Sequence, residues 1–352
     1  MGVATIYDVA RAAGVTAATV SVALSGRGVV NAGTRERILQ CALDLGYRPN
    51  LVGRSLSTRR THTVGLVIYD ITNPFYAEVA LAAEQTARDA GYRLIFANTT
   101  IDPDFGAELL QELAGRQVDG IIAMPGGLRA DALRAVAETG LPTVACLWDE
   151  EQSVRLPYTV GVDFGAGGRQ VADYLLDLGH ERVAMVAIGA DSETFLRARE
   201  VAFTDRLAAR GHAMPAAYWQ WADSTLESGY QATRVLLDRP EPPTAIYATN
   251  DIMAMGVLAA AREAGVPVPS GLSVVGFDDI KLARYMSPPL TTIRIEKDVL
   301  MAEAMHVLLH LIEGEEVTPP PSRIPRLIER QSSGPPVGQP QSPRRKEVVG
   351  TV

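Results

Sequence analysis

Thr5-Ile-Tyr-Asp-Val-Ala-Arg-Ala-Ala-Gly-Val-Thr-Ala-Ala-Thr-Val-Ser-Val-Ala-Leu-Ser25 reads as two short helices joined by a tight turn. Thr5 precedes the first apolar run and Asp8 follows three residues later. That is a capping-box-like start, with a hydroxyl near an orphan N–H and a carboxylate at the positive helix end. Ile6, Val9 and Ala10 fall at helical spacing and make one apolar face. Gly14 is placed to stop the helix, because glycine takes the left-handed conformation at little cost. Thr16 then caps a second helix whose buried face is Val20, Ala23 and Leu24. Two short helices across a Gly-containing turn form a helix-turn-helix, whose second helix enters the major groove of DNA. The pattern alone is a weak signal, since small-residue helix pairs also occur in ordinary cores.

Outward from this stretch, Thr34 is the expected N-cap of a third helix, with Ile38, Ala42 and Leu45 as its stripe and Gly46 as its end. Tyr47-Arg-Pro-Asn50 breaks the chain. Residues 51–60 are short and basic with little apolar periodicity, so they read as a linker that orders on contact with something else. Residues 1–60 hold eight arginines against three carboxylates, a net charge of +5. The whole chain carries −8, so the remainder carries −13. A basic head on an acidic body suits a head that meets phosphate and a body that avoids it.

The 352 residues allow two or three domains, and 47% hydrophobic with 21% charged residues is ordinary for a globular protein. Two cysteines, Cys41 and Cys146, make no disulfide framework, so a reducing compartment is expected. There is no basic start followed by an apolar run, and no apolar run approaches transmembrane length. A cytoplasmic location is expected.

From Thr63 onward, short apolar runs alternate with amphipathic helices. Strands are expected at Val64–Asp70, Arg93–Asn98, Gly120–Met124 and Pro142–Leu147, with helices at Phe75–Ala90, Phe105–Gly115 and Ala130–Thr139. After Tyr158–Asp163 the alternation starts again. Helices are then expected at Gly165–Leu178, Phe195–Arg210, Leu226–Leu237 and Asp251–Ala264, with strands at Arg182–Ile188, Tyr218–Trp221, Thr244–Thr249 and Leu272–Phe277. Such alternation argues parallel sheets covered on both faces. Two successive units of similar size imply two lobes with a cleft between them. The Gly/Pro/Gln/Ser-rich stretch 332–352 has too few apolar residues to fold and reads as a disordered tail.

Several motifs then converge. Thr5-Ile-Tyr-Asp-Val-Ala, Ala13-Gly-Val-Thr, Thr19-Val-Ser, Thr34-Arg-Glu-Arg, Gly46-Tyr-Arg-Pro-Asn50 and Arg54-Ser-Leu56 resemble the DNA-binding head and hinge of the LacI/GalR family of bacterial transcription regulators. The similarity runs to about Glu329. The resemblance implies an α/β core of two doubly wound parallel-sheet lobes, periplasmic-binding-protein-like, carrying an all-α helix-turn-helix head. It divides the chain into a head at 1–48, a hinge helix and linker at 49–62, a first lobe at 63–162 with 291–322, and a second lobe at 163–290 with 323–331. In that division Thr291–Ile295 and the helix after it return to the first lobe, while Arg323–Arg330 adds to the second. The implied function is a sequence-specific DNA-binding regulator, with repression the expected sense. It would act as a homodimer on a pseudo-palindromic double-stranded operator, under a small-molecule effector held between the lobes.

The resemblance also assigns residues. Thr16, Ala17, Ala18, Thr19, Ser21, Val22 and Ser25 follow the turn and enter the groove, with Thr5 and Asn31 as further DNA contacts. Ala17, Ala18 and Val22 cannot make the bidentate hydrogen bonds that read guanine or adenine edges, although they can touch a thymine methyl. Phosphate contact by Thr5, Thr16, Thr19, Ser21 and Asn31 needs only hydroxyls, amides and helix N-termini. In the hinge, Leu56 is the expected wedge into the minor groove, and Arg54 lines that groove.

For the effector, strand C-terminal ends are where open α/β sheets bind ligands. This points to Asp70-Ile-Thr-Asn-Pro-Phe-Tyr76, and within it to Asp70, Asn73 and Phe75. The family-matched second-lobe candidates are Asp163, Arg199, Asn250 and Asp278. Arg199 can fork to hydroxyls or a carboxylate, while Asn250 and Asp278 end buried strands where a polar side chain must be paired. For Asp163 or Asp278 alone, a helix cap is the plain alternative. Three positions depart from the family pattern: Phe164 replaces a polar residue, Ser224 an aromatic and Trp148 a basic residue. A sugar or sugar derivative is the default effector, since an Asp/Asn/Arg set suits hydroxyls.

No cofactor, metal or membrane partner is expected. His306 and His310 lie one turn apart without a third ligand. Gly165-Ala-Gly-Gly168 fails the dinucleotide fingerprint because Gln170 holds its last position. Neither a P-loop nor a G-x-S-x-G is present. An enzyme and a pure solute-binding protein are the rival readings, and no nucleophile–base constellation supports the first.

Overall fold

The computed structural model describes residues 4–25, 29–47, 60–99, 103–115, 118–126, 128–147, 158–188 and 197–336. The chain falls into two compact units, Met1–Thr61 and His62–Val352.

In the first unit, α1 (Ile6–Ala13), α2 (Ala17–Ser25) and α3 (Ala32–Asp44) enclose a small core of Val9, Ala10, Ala13, Val20, Ala23, Ile38 and Ala42. Gly14 ends α1 at φ 64°, and its N–H reaches the Ala10 and Arg11 carbonyls. The α3 cap is Asn31, whose Oδ1 accepts the Gly33 N–H at 3.0 Å, rather than Thr34. Leu45 is 42% exposed, so the stripe of α3 stops one turn early, and Tyr47 packs against the core in its place.

The second unit holds two sheets. The first contains β1 (Thr63–Ile68), β2 (Arg93–Asn98), β3 (Gly120–Ala123), β4 (Thr143–Cys146) and β5 (Thr159–Val160) in the order β2-β1-β3-β4-β5, all parallel. Its helices are α4 (Pro74–Asp89), α5 (Pro103–Gly115) and α6 (Ala130–Glu138). Strand alternation divides the packing. Val64, Leu66 and Ile68 belong to the large core with Phe75, Val79 and Ala83 of α4, whereas Val67 joins Leu110 and Leu113 of α5 and Leu133 of α6.

The second sheet contains β6 (Val183–Ile188), β7 (Trp219–Ala222), β8 (Ala245–Ala248), β9 (Ser273–Asp278), β10 (Thr291–Arg294) and β11 (Arg326–Ile328), in the order β11-β10-β9-β8-β6-β7. Helices α7 (Phe164–Asp177) and α8 (Arg197–Ala209) pack on each other, as do α9 (Leu226–Leu237) and α10 (Asp251–Glu263). Gly168 lets α7 and α8 touch: a Cβ there would lie 2.0 Å from the Arg199 carbonyl oxygen. Only β11 runs antiparallel.

Two expectations are corrected here. The stretch Thr291–Arg294 does not return to the first lobe. It pairs in parallel with β9, Thr292 opposite Gly276 and Ile293 opposite Phe277, and so belongs to the second sheet. The crossing back follows it, in α11 (Lys297–Glu313), which packs on α4, β3 and β4. Nor is the stretch from Ser332 without structure at its start. Ser332 and Ser333 are buried, Ser332 Oγ donates to the Val274 carbonyl at 2.6 Å, and Ser333 Oγ lies 2.7 Å from Thr291 Oγ1. His180 Nε2 donates to the Gly334 carbonyl at 2.9 Å. Hydrogen bonding to the N-terminal ends of β9 and β10, not apolar burial, holds this segment, which is why its composition misleads.

Candidate functional site

On the head, helix α2 turns Val20 and Ala23 inward and leaves Thr16, Ala18 and Ser21 on the exposed side, with Ala17, Thr19 and Val22 half-buried. Thr16 caps the helix: its Oγ1 accepts the Thr19 N–H at 3.1 Å and lies 2.9 Å from Thr19 Oγ1. At the start of α1, the Asp8 carboxylate accepts both the Thr5 N–H at 2.9 Å and its hydroxyl at 2.7 Å. The hydrogen bond from Thr5 lowers the carboxyl's pKa, so it stays ionised at the positive helix end. Asn31 is exposed, and Ser25 is the last residue of α2. Two of the head's arginines serve the fold itself. Arg35 Nε donates to the Ala23 carbonyl at 3.2 Å and Arg37 Nε to the Ala13 carbonyl at 3.1 Å, satisfying carbonyls that helix ends leave open. The expected hinge contacts Arg54 and Leu56 lie outside the described residues, as does Trp148.

In the second unit, three effector candidates are helix N-caps. Asn73 Oδ1 accepts the Phe75 N–H at 3.0 Å, Asp163 Oδ1 the Ala166 N–H at 2.6 Å, and Asn250 Oδ1 the Met253 N–H at 2.8 Å. One oxygen of each is therefore committed to the backbone. Asp163 Oδ2 also faces Arg169 at 3.4 Å. Asp70 Oδ1 closes a turn by accepting the Thr72 N–H at 2.9 Å and its hydroxyl at 2.7 Å. Phe75 is buried, with Lys297 Nζ 5.4 Å above its ring.

Arg199 and Asp278 stand apart from these caps. Arg199 is 2% exposed, with its guanidinium 4.8 Å from the Phe277 ring and 5.6 Å from the Phe164 ring. The two rings stack at 5.8 Å. Phe164, which departs from the family pattern, thus supplies one face of a cation–π seat. Asp278 ends β9 with φ 114°, a backbone setting that costs an L-residue energy and persists only where the surroundings enforce it. Burial raises its pKa, opposed by the charges of Arg199 and Lys297. Tyr76 of the first lobe is half-buried; its phenol pKa is raised by burial and next by the charge of Asp278, with Arg199 opposing. The phenol of Tyr69 is raised by burial, by Asp70 and by Asp223. Tyr69, Asp70 and Tyr76 of one lobe therefore lie within electrostatic reach of Arg199, Asp223 and Asp278 of the other.

Sequence reading missed the groups that fix this junction. Asp251 is fully buried, accepting the Thr292 hydroxyl at 2.5 Å and the Ile280 N–H at 2.9 Å. Asp279 takes Arg294 Nε at 2.6 Å and Arg330 Nη2 at 2.5 Å. Lys297 Nζ donates to the Asp278 and Asp279 carbonyls and lies 3.4 Å from Glu78 Oε2, while Glu78 Oε1 accepts the Lys281 N–H at 2.7 Å. The adjacent acids of Phe277-Asp-Asp279 were the available signal, because two carboxylates ending one buried strand need cations nearby.

Two family models match the chain: "Bacterial regulatory proteins, lacI family" over residues 5–50, and "Periplasmic binding protein-like domain" over residues 172–333. Catabolite control protein A of Priestia megaterium is 35% identical over 94% of this chain and 99% of its own length. The chain belongs to the lacI family of bacterial regulatory proteins. Within this family, the HTH-type transcriptional repressor CytR of Escherichia coli is 32% identical, covering 89% of this chain and 91% of the relative. The lac repressor dimer bound to operator and the anti-inducer ONPF superposes with a TM-score of 0.85 at 26% identity, covering 95% of this chain and 100% of that one. The complex of the transcriptional regulator CelR with cellobiose gives 0.69 at 30% identity, covering 94% and 100%. Membership makes this LacI-family chain a DNA-binding transcriptional regulator rather than an enzyme. Among its described residues no helix is long and apolar enough to cross a membrane.

Proposed function

We propose that this regulator is a cytoplasmic repressor that binds a pseudo-palindromic operator as a homodimer and responds to a small hydroxylated effector, a sugar or sugar derivative, held between its lobes. The reading is supported by repressors among its relatives and by two solved neighbours, one a dimer on operator DNA and the other a cellobiose complex. The observation that carries it is the junction of half-buried Tyr76 from one lobe with the buried Arg199 and Asp278 of the other. A ligand that neutralises this junction favours one lobe arrangement over another, and that differential affinity is what a switch requires.

On the head, Thr16, Ala17, Ala18, Thr19, Ser21, Val22 and Ser25 are the proposed groove contacts, with Thr5 and Asn31 on phosphate and Arg54 and Leu56 at the operator centre. In the cleft, Arg199, Asp278 and Asn250 are the proposed principal contacts. Asn250 offers its amide NH2, since its Oδ1 caps a helix. Asp70, Asn73 and Asp163 shape the site, because an oxygen of each already serves a turn or cap, and Phe75 adds a buried apolar wall.

The test is recovery and sequencing of genomic fragments bound by the purified protein at physiological salt, since phosphate contacts make affinity salt-dependent. A pseudo-palindrome beside a few genes is the expected result, and those genes nominate the effector. No enrichment with or without added sugars would overturn the operator reading.

A further inference from the structure

Five buried side-chain polar atoms among the described residues have no hydrogen-bond partner: Arg199 Nε, Glu200 Oε2, Tyr247 Oη, Thr249 Oγ1 and Trp219 Nε1. Unpaired buried polar groups are rare in folded proteins, and each calls for an explanation. Four of the five are neighbours. Tyr247 and Thr249 are two residues apart at the end of β8, so they share a face of the sheet. That face meets α8, where Tyr247 lies 4.8 Å from Phe203, three residues after Glu200 and so on the same helix side. The Thr249 N–H bonds the Val186 carbonyl at 3.0 Å. Two residues further along β6, the Ile188 N–H holds the other Glu200 oxygen at 3.2 Å. The charges of Arg199, Glu200 and Asp278 all act on the Tyr247 phenol. The group therefore lies against Arg199 and Asp278, at the C-terminal end of the second sheet. Arg199, Glu200, Tyr247 and Thr249 are at most 2% exposed.

Three of the four orphan atoms are oxygens able to accept, and one belongs to a carboxylate. The fourth is an N–H able to donate. A protonated amine has three donors and no acceptor, and a hydroxyl on the adjacent carbon offers an oxygen to a guanidinium. The charge around the junction has the same sense. Asp70, Asp223, Asp278 and Glu200 face it, while the cation of Arg199 is already shared with two aromatic rings. The Glu200 carboxyl is pushed up to about 7 by burial, with only partial relief from the charges of Arg199 and Arg197.

Resting on the effector reading above, we propose that Glu200, Tyr247 and Thr249 form an inner subsite for the amino group of an effector that is an amino alcohol, such as an amino sugar. The ammonium donates to Glu200 Oε2, Tyr247 Oη and Thr249 Oγ1. The neighbouring hydroxyl oxygen receives the Arg199 Nε–H. Glu200 is then the specificity-determining residue, selecting amine over hydroxyl at one carbon.

The test is calorimetric titration of the full-length protein with matched pairs: glucose and glucosamine, galactose and galactosamine, glycerol and aminopropanediol. We expect at least one aminated member to bind tenfold or more tighter than its hydroxyl counterpart and to change operator affinity. Glu200→Gln should erase that preference, and Tyr247→Phe should reduce it severalfold, with both variants melting at or above the parent temperature. Equal or tighter binding of the hydroxyl member, a preference that survives Glu200→Gln, or no binding of any amine would each overturn the inference. Those results would leave buried water as the occupant. If neutral sugars alone release the operator, only this inference falls. If operator affinity responds normally to an active compound in Asp278→Ala and Arg199→Ala, the effector site itself is misplaced.

Discussion

Lys297 Nζ donates to the carbonyl oxygen of Asp278 at 2.8 Å, and the same ammonium lies 3.4 Å from Glu78 of the first lobe. One cation therefore clamps the backbone beneath Asp278, the proposed effector carboxylate, and reaches across to the other lobe. Removing one partner of a buried pair leaves an uncompensated charge, at a cost of about 3–5 kcal/mol. Glu78 and Lys297 retain slight exposure, so Lys297→Met should lose about 2–4 kcal/mol in urea unfolding. Glu78→Gln with Lys297→Met should recover part of that loss. A loss of less than about 0.5 kcal/mol would mean that solvent already screens the clamp.

Glu200 should leave a pH signature on stability. Its folded pKa, pushed up to about 7 by burial, lies above the ordinary value of 4.5. Between these values the folded state holds more protons than the unfolded state, so stability falls as pH rises through that window. Above it, the ionised carboxylate costs about 3 kcal/mol at roughly 1.4 kcal/mol per pKa unit. Glu200→Gln should therefore be the more stable protein at about pH 8, with the advantage gone near pH 4.5. Asp278 and Asp251, also raised by burial, tilt both proteins in the same direction, so the difference between the two curves isolates Glu200. Parallel curves would show Glu200 to be neutral or paired at all pH values.

Gly168 bears on the site at one remove. A methyl group there would sit 2.0 Å from the Arg199 carbonyl oxygen, and that atom is backbone. Gly168→Ala must push α8 away from α7, at a cost of about 1–3 kcal/mol for overpacking. The shift moves Arg199 off its aromatic seat. Effector affinity should drop at least tenfold while operator affinity holds, read by calorimetry and by DNA mobility shift. Unchanged effector affinity would show that Arg199 is not a contact.

Head and cleft should separate by substitution. Leu56→Ala should weaken operator binding and leave effector binding intact, by the resemblance that makes Leu56 the wedge. Asp278→Ala and Arg199→Ala should keep operator binding and lose the response. Unchanged operator affinity in the first variant would remove the wedge. A normal response in both of the others would remove the cleft assignment.

A chain ending at Gln331 should be less stable than the full protein. It loses the bonds from Ser332 to Val274 and Thr291, from Ser333 to Thr291 and Tyr174, and from Gly334 to His180 and Ser273. At about 1 kcal/mol for each hydrogen bond, the expected loss is about 3–6 kcal/mol in urea unfolding. A change within about 1 kcal/mol would mean that water replaces those partners without penalty.

Much of this molecule was legible in its sequence because periodicity and caps carry local information. Gly14 and Thr16 mark their turns, and the strand-helix alternation marks both sheets. The membership of Thr291–Arg294 was not legible, since a four-residue strand with one large apolar side chain carries too little pattern to say which sheet it joins. The Ser332–Gly334 segment escaped because hydrogen bonds, rather than apolar side chains, hold it. In the cleft, the residues that end strands were legible, but their neighbours were not. Glu200 reads as a surface residue of a polar helix, although it shares helical spacing with the buried Phe203 and Leu207. Asn73, Asp163 and Asn250 were legible as polar groups at strand ends, but sequence could not show how much of each the backbone had already claimed.

The late crossing has a consequence for how the protein is made. Helix α11 completes the first lobe, and β10, β11 and Ser332–Gly334 complete the second, so both lobes wait for residues translated after position 290. The head is finished long before. A nascent chain emerging from the ribosome carries a folded DNA-binding module attached to an unfinished sensor. The protein should therefore acquire ligand sensing only once Gly334 has emerged, and chains stalled before that point should yield heads without a finished sensor.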